Sequence, residues 1–279
     1  MKESELSNGV IMPSLVVGTN WMEKKELKKI LHSAFAAGFR AIDTARDYGN
    51  EHIVGEALQE VLKEIGLSRE EIFITTKIGN NQQVKGDISG EIQTSLRNLR
   101  VDYVDLWLMH WPYPGYFEKT WDKMTEIYLA GSMVRSIGVA NYDIRHLNRL
   151  KNHSDGFMPM VNQVEFHPLR TIERLRAYMR NEQIKLESYC PLCRMVSPLK
   201  ESRILRDIAS RYGKSIGQII LRWHLQQNAI PIFKSYNPDR FKENIDIFDF
   251  CLTDEEILMI STLNQDYKYH LESSSCPGY

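Results

Sequence analysis

Eight short apolar runs, each followed by a longer stretch of helical spacing, predict an α/β chain closed into a (β/α)8 TIM barrel. Strand-like runs that alternate with helices pair in parallel, and eight alternations favour closure over an open doubly wound sheet. No Pro/Gly/Ser-rich linker, low-complexity stretch or shift in charge interrupts the 279 residues, so a single domain, 1–279, is expected.

The elements follow in order. Leu6-Ser7-Asn8-Gly9-Val10-Ile11-Met12 carries Asn-Gly between short runs, a hairpin turn signal. An N-terminal β-hairpin there is expected to close the bottom of the barrel. The strand-like runs are 14–18, 41–44, 72–77, 103–110, 134–140, 160–165, 185–189 and 230–233. Helical spacing marks 23–37, 50–65, 87–99, 120–129, 143–150, 171–181, and 215–227 preceded by 202–212. In the first of these, Leu27, Ile30, Leu31, Ala34 and Phe35 recur on one helical face. The tail beyond Asn264 is polar and aromatic without a period and is expected to be a loop.

Composition narrows the function. Apolar residues at 43% and charged residues at 25% are ordinary for a soluble globular protein. A formal net charge of −1 gives no global attraction to nucleic acid or to an anionic membrane. The polar, acidic start lacks the apolar stretch of a secretory signal, and no apolar run reaches the roughly 18–20 residues that span a bilayer. Four cysteines in a chain this long do not suggest a disulfide framework. A cytoplasmic monomer acting on a small molecule is the expectation.

Catalytic groups of such a barrel sit where strands end, on the C-terminal face. The polar residues at those ends are Asp43 and Tyr48 after the second run, Lys77 ending the third and His110 ending the fourth. Asn141 follows the fifth, Gln163 and Glu165 lie in the sixth, and Tyr189 ends the seventh. A strand buried on both faces normally reads as apolar throughout, so Lys77 at the end of Ile72-Phe73-Ile74-Thr75-Thr76-Lys77 stands out. A buried ammonium needs a partner, and Asp43 on the neighbouring strand is the obvious one. Alone, that pair reads equally well as a structural ion pair. Tyr48 and His110 add chemistry to it. A phenol has an ordinary pKa near 10, and an adjacent ammonium is expected to lower it. Tyr48 can then give a proton to a carbonyl oxygen that gains charge, while His110 donates a hydrogen bond to the same oxygen. The set suits reduction of a C=O by a hydride from elsewhere. After the last run, Lys234, Ser235 and Arg240 are spaced to converge on a phosphate, and no Gly-x-Gly-x-x-Gly fingerprint offers a Rossmann site instead.

These motifs resemble the aldo-keto reductase family over nearly the whole chain. The segment Gly38-Phe39-Arg40-Ala41-Ile42-Asp43-Thr44-Ala45-Arg46-Asp47-Tyr48-Gly49-Asn50-Glu51 is similar to that family's first signature, and Asp102-Tyr103-Val104-Asp105-Leu106-Trp107-Leu108-Met109-His110 to the segment that ends in its catalytic His. The resemblance implies a tetrad of Asp43, Tyr48, Lys77 and His110. It implies ordered binding of NADPH, with release as NADP+, and transfer of the 4-pro-R hydride to an aldehyde or ketone. By the same resemblance Asn141 and Gln163 bond the carboxamide and Tyr189 stacks on the nicotinamide. Lys234, Ser235 and Arg240 hold the 2′-phosphate, and Glu243 and Asn244 reach the adenine.

The chain departs from the family pattern where Ala140 replaces a Ser before Asn141, and where Leu192 is followed by Cys193 rather than Gly. The loops after the fourth and seventh runs and the tail are short for the family, which implies an open substrate pocket. Trp21, Trp111 and Tyr113 are the expected substrate wall, with Tyr267, Tyr269 and Tyr279 of the tail as a cover. Cys190-x-x-Cys193 has the spacing of a redox dithiol or of half a zinc site, but no second pair completes a zinc site and no metal is expected. Two alternatives stay open. One is a non-catalytic barrel that binds NADPH and regulates a partner. The other is a metal-dependent hydrolase using Asp43, His110 and Lys77, although the first run lacks a His-x-His pair.

Overall fold

A computed structural model of the chain describes residues 3–154 and 156–270. The N-terminal hairpin pairs β1 (Glu3–Glu5) with β2 (Ile11–Pro13), and its turn contains Asn8 and Gly9, the latter at φ +82°. Glycine takes that left-handed conformation at little steric cost. The Asn8 side-chain amide donates to the Arg135 carbonyl and the Ser136 hydroxyl, just ahead of a barrel strand. The hairpin therefore lies across the N-terminal end of the barrel.

The barrel strands are β3 (Val16–Gly18), β4 (Ala41–Asp43), β5 (Phe73–Ile78), β6 (Leu106–Met109), β7 (Ile137–Ala140), β8 (Val161–Glu165), β9 (Lys185–Tyr189) and β10 (Ala229–Phe233). They pair in parallel in the closed order β10-β3-β4-β5-β6-β7-β8-β9. This is the expected (β/α)8 barrel. All six residues of β5 are buried, Lys77 included, so the one charge in that strand must be neutralised inside the barrel. Five of the eight strands are shorter than the apolar runs suggest. Over 103–110 only Leu106–Met109 forms a continuous strand, and Val104 makes one isolated bridge to Val134. Asp105 lies between them, almost fully buried, and accepts hydrogen bonds from Arg69, Arg135 and the Ile74 amide.

Four helices fall where no periodicity was evident, among them the short Ser197–Lys200 and Asp239–Ile245. Asn80–Lys85 is a short helix after β5. Asp254–Ser261 starts from a capping box in which the Thr253 hydroxyl accepts from the Glu256 amide and Glu256 accepts from the Thr253 amide. Residues 264–270 are a loop, but a tethered one. The Tyr269 and His270 amides donate to the two oxygens of Glu165, at the C-terminal end of β8. Tyr279 lies outside the described residues. Among the described residues no helix is long and apolar enough to cross a membrane.

Candidate active site

Parallel strands deliver their C-terminal residues to one rim, and four of the expected side chains meet there. Asp43 is the last residue of β4, Lys77 lies near the end of β5, and His110 follows β6, its amide bonded to the Ile78 carbonyl. Tyr48 ends a 3-10 turn, Arg46–Tyr48, that closes on Gly49 at φ +69°. The Lys77 Nζ lies 2.6 and 2.7 Å from the Asp43 oxygens, 3.1 Å from the Thr44 carbonyl and 3.2 Å from the Tyr48 hydroxyl. Burial lowers the pKa of this ammonium, but Asp43 and Tyr48 outweigh it and hold Lys77 above the ordinary lysine value.

The expected acidification of Tyr48 is only half present. Burial pushes the phenol up from 10, Lys77 pulls it down, Asp43 pushes it up again, and the net direction is upward. The charge partner was visible in the sequence, whereas the desolvation opposing it was not. The phenol therefore keeps its proton through neutral pH. The His110 ring packs edge-on to Tyr48 at 5.7 Å. Its Nδ1 lies 3.2 Å from Asp47 Oδ2, a partner the sequence did not reveal. Burial lowers the His110 pKa below its usual 6.5, against the opposing pull of Asp47.

Beside the tetrad, Asn141 sits at φ +65°. Its Oδ1 accepts from the Tyr189 hydroxyl at 2.9 Å, and its Nδ2 donates to the His110 carbonyl at 3.1 Å. The Gln163 Nε2 spends both hydrogens inside the barrel, on Asp43 Oδ2 at 2.9 Å and Glu187 Oε2 at 2.8 Å. What remains to offer is one N–H of Asn141 and the Oε1 of Gln163. A donor beside an acceptor complements a primary carboxamide, so these residues fit a nicotinamide.

A cavity of about 740 Å³ runs from the tetrad across the barrel rim to the segment after β10. Asp43, Tyr48, His110, Trp111, Asn141, Gln163 and Tyr189 line one end, and Lys77 lies fully buried beneath it. Lys234, Ser235, Arg240, Glu243 and Asn244 line the other. There the candidate phosphate ligands are engaged with the protein itself. Lys234 Nζ donates to the Asn20 carbonyl, Ser235 is in a turn with Asn237, and Arg240 pairs with Glu243 at 2.6 Å. Trp111 reaches the cavity and stacks on His110. Trp21 and Tyr113 do not line it: Trp21 is 75% exposed, and Tyr113 packs on Tyr116. His270 of the tethered tail lines it instead.

At the departure after Leu192, Cys193, Arg194 and Met195 all have positive φ, 43°, 46° and 53°. Three consecutive side-chain-bearing residues occupy the region that glycine enters without cost. Cys190 and Cys193 are free thiols, and contact with Cys193 together with burial holds the Cys190 thiol above its usual pKa. Among the described residues no group of three or more His, Cys, Asp or Glu side chains can hold a metal ion. The hydrolase alternative thus finds no such ligand set among the described residues.

The family model described as "Aldo/keto reductase family" matches residues 14–265. The chain belongs to the aldo/keto reductase family. It is 40% identical over 263 residues to a glyoxal reductase of Bacillus subtilis, covering 94% of this chain and 92% of that one. It is 38% identical over 263 residues to a methylglyoxal reductase of Escherichia coli, covering 94% and 93%. The crystal structure of a Bombyx mori aldo-keto reductase in complex with NADP superposes with a TM-score of 0.91 at 32% identity, covering all of this chain and 98% of that one.

This aldo/keto reductase also buries a carboxyl that strand-end reasoning passed over. Glu187, in the middle of β9, is fully buried. One oxygen accepts from Gln163, and the other has no hydrogen-bond partner. Burial and the nearby Asp43 push it up to about 8 from 4.5. The unfolded chain then releases this proton from about pH 4.5, whereas the folded chain keeps it to about pH 8. The associated stability is complete below 4.5 and is lost as pH rises to about 8. A Glu187→Gln variant does not ionise there. Its Tm relative to wild type rises between pH 5 and pH 8 in parallel thermal melts, and a constant difference would show that Glu187 titrates normally.

Proposed function

We propose that this chain is an NADPH-dependent reductase of small aldehydes or ketones, with Tyr48 as proton donor. The observation that carries this reading is the Lys77 ammonium, held between the Asp43 carboxylate and the Tyr48 hydroxyl at the floor of a cavity long enough for a dinucleotide. NADPH, when bound, supplies the hydride that goes to the carbonyl carbon. The chain does the rest. Asn141 and Gln163 orient the carboxamide, and the Tyr189 ring flanks it. Tyr48 gives its proton to the carbonyl oxygen. Lys77 faces the phenolic oxygen as negative charge grows there, which favours the transfer. His110 directs the carbonyl oxygen toward the phenol. The enzyme acts in this reading as a monomer of one domain, residues 1–279, in the cytoplasm.

Two relatives named for glyoxal and methylglyoxal reduction favour small 2-oxoaldehydes as substrates. NADPH oxidation with a panel of aldehydes, ketones and 2-oxoaldehydes tests this. No turnover of any carbonyl would leave the non-catalytic regulator as the better account.

The phosphate end gives a cofactor prediction. Lys234 and Arg240 put two cations at one end of the cavity, which favours a phosphorylated ribose. Arg240→Met removes a charge-assisted contact of about 1.5–3 kcal/mol, offset in part because Arg240 no longer has to leave Glu243. NADPH affinity is expected to fall about tenfold while NADH affinity changes less than about twofold. Fluorescence titration with both nucleotides checks this, and equal losses would remove Arg240 from the 2′-phosphate.

A further inference from the structure

His110 carries a partner that carbonyl reduction does not require. Asp47 projects from the turn Arg46–Tyr48, and its carboxylate rests on the Cα of Gly79. A Cβ at Gly79 would stand 1.9 Å from Asp47 Oδ1 and 2.2 Å from Oδ2, so only glycine admits the carboxylate in this seat. Two loops at the ends of different strands are thus shaped to bring Asp47 Oδ2 to His110 Nδ1.

Resting on the reductase reading above, we propose that Asp47 is a positioning residue that fixes the His110 proton on Nδ1, so that the ring donates to a substrate oxygen only as an imidazolium. A carboxylate has lone pairs and no hydrogen, so the Nδ1 facing it must be the donor. A neutral imidazole has one N–H, and with that on Nδ1 the Nε2 carries a lone pair. Such a nitrogen repels a carbonyl oxygen. A second proton, taken from solvent, turns it into a charged donor.

The groups facing His110 set when that proton is present. Asp47 and Tyr48 face it from the turn, Asp43 from β4 and Lys77 from β5. Trp111 stacks on it, and the Asn141 amide is bonded to its carbonyl. Burial and Lys77 disfavour the cation, and Asp47 and Asp43 favour it, with the balance below the usual 6.5. Reduction is therefore fastest on the acid side and declines as pH rises. Glu187 titrates higher, near 8, on the alkaline side of the imidazole step.

The test compares wild type, Asp47→Asn and Gly79→Ala, the last evicting Asp47 without altering it. Long-range 1H–15N correlation spectra of the free protein, assigned with His110→Ala, read the tautomer. Above pH 7 wild type is expected as Nδ1–H. Asp47→Asn supplies an amide donor to Nδ1 and is expected as Nε2–H. In steady-state kinetics, kcat for reduction by wild type is expected to fall by up to about tenfold per pH unit above the imidazole pKa, while Asp47→Asn and Gly79→Ala stay level within about twofold. An Nε2–H ring in wild type, or an undiminished pH slope in Asp47→Asn, overturns the proposal. A uniform loss of kcat at every pH does so too, because it marks a merely structural carboxylate. If wild type reduces no carbonyl, the reductase reading fails, and the spectra still decide the role of Asp47.

Discussion

Replacing Tyr48 by phenylalanine is expected to lower kcat for aldehyde reduction by about 10²–10⁴-fold, the range for loss of a positioned general acid. The fold should survive. Lys77 keeps both Asp43 oxygens and the Thr44 carbonyl when the phenolic oxygen is removed, so no buried charge is left unpaired. Cofactor affinity should also survive, because none of the hydrogen bonds that orient Asn141 and Gln163 involves Tyr48. The measurement is single-turnover oxidation of prebound NADPH by an aldehyde, beside a binding titration and a thermal melt. Activity within tenfold of wild type would move proton donation elsewhere, with His110 as the remaining donor at that rim. A large loss of NADPH binding would instead make Tyr48 a cofactor contact.

The ease with which the barrel and the meeting of Asp43, Tyr48, Lys77 and His110 were read from the sequence has a physical origin. A parallel strand buried on both faces tolerates a charge only where a partner waits, so Lys77 among Phe73, Ile74 and Ile78 announced both itself and Asp43. Glu187 obeys the same logic in β9, and its position in a buried strand was legible. It was missed because attention to strand ends stops at Tyr189, two residues later. The Thr253–Glu256 capping box was equally readable and marks a helix that periodicity did not show. Other features had no sequence signal at all. Asp47 meets His110 across 63 residues, and only the turn geometry and the bare Cα of Gly79 bring them together. The upward push on Tyr48 depends on how much protein surrounds the phenol, which charge spacing does not encode. Trp21 illustrates the converse. An aromatic beside a strand end suggested a pocket wall, but the residue, at φ +56°, is 75% exposed.

The second large effect is expected from Lys77→Met, and it separates structure from catalysis. Removing one partner of a fully buried pair leaves the Asp43 carboxylate uncompensated, at a cost of about 3–5 kcal/mol. That is a sizeable part of the roughly 5–15 kcal/mol that holds a typical native protein together. Met fills the space of the lysine stem but gives Asp43 no donor, and only the Gln163 amide remains on its Oδ2. Asp43→Asn in the same chain neutralises the stranded charge. The double variant is therefore expected to regain most of the lost Tm, since exchanging both members of a buried pair costs far less than breaking it. Activity should not return. Lys77 is the group that pulls the Tyr48 pKa down against burial, so without it the phenol becomes a still weaker acid, with no cation beside the oxygen that must take up charge. Thermal melts and kcat measured on both variants give the answer. Recovery of stability without recovery of turnover assigns Lys77 a role in proton transfer, whereas recovery of both would reduce the pair to a plug for the barrel mouth.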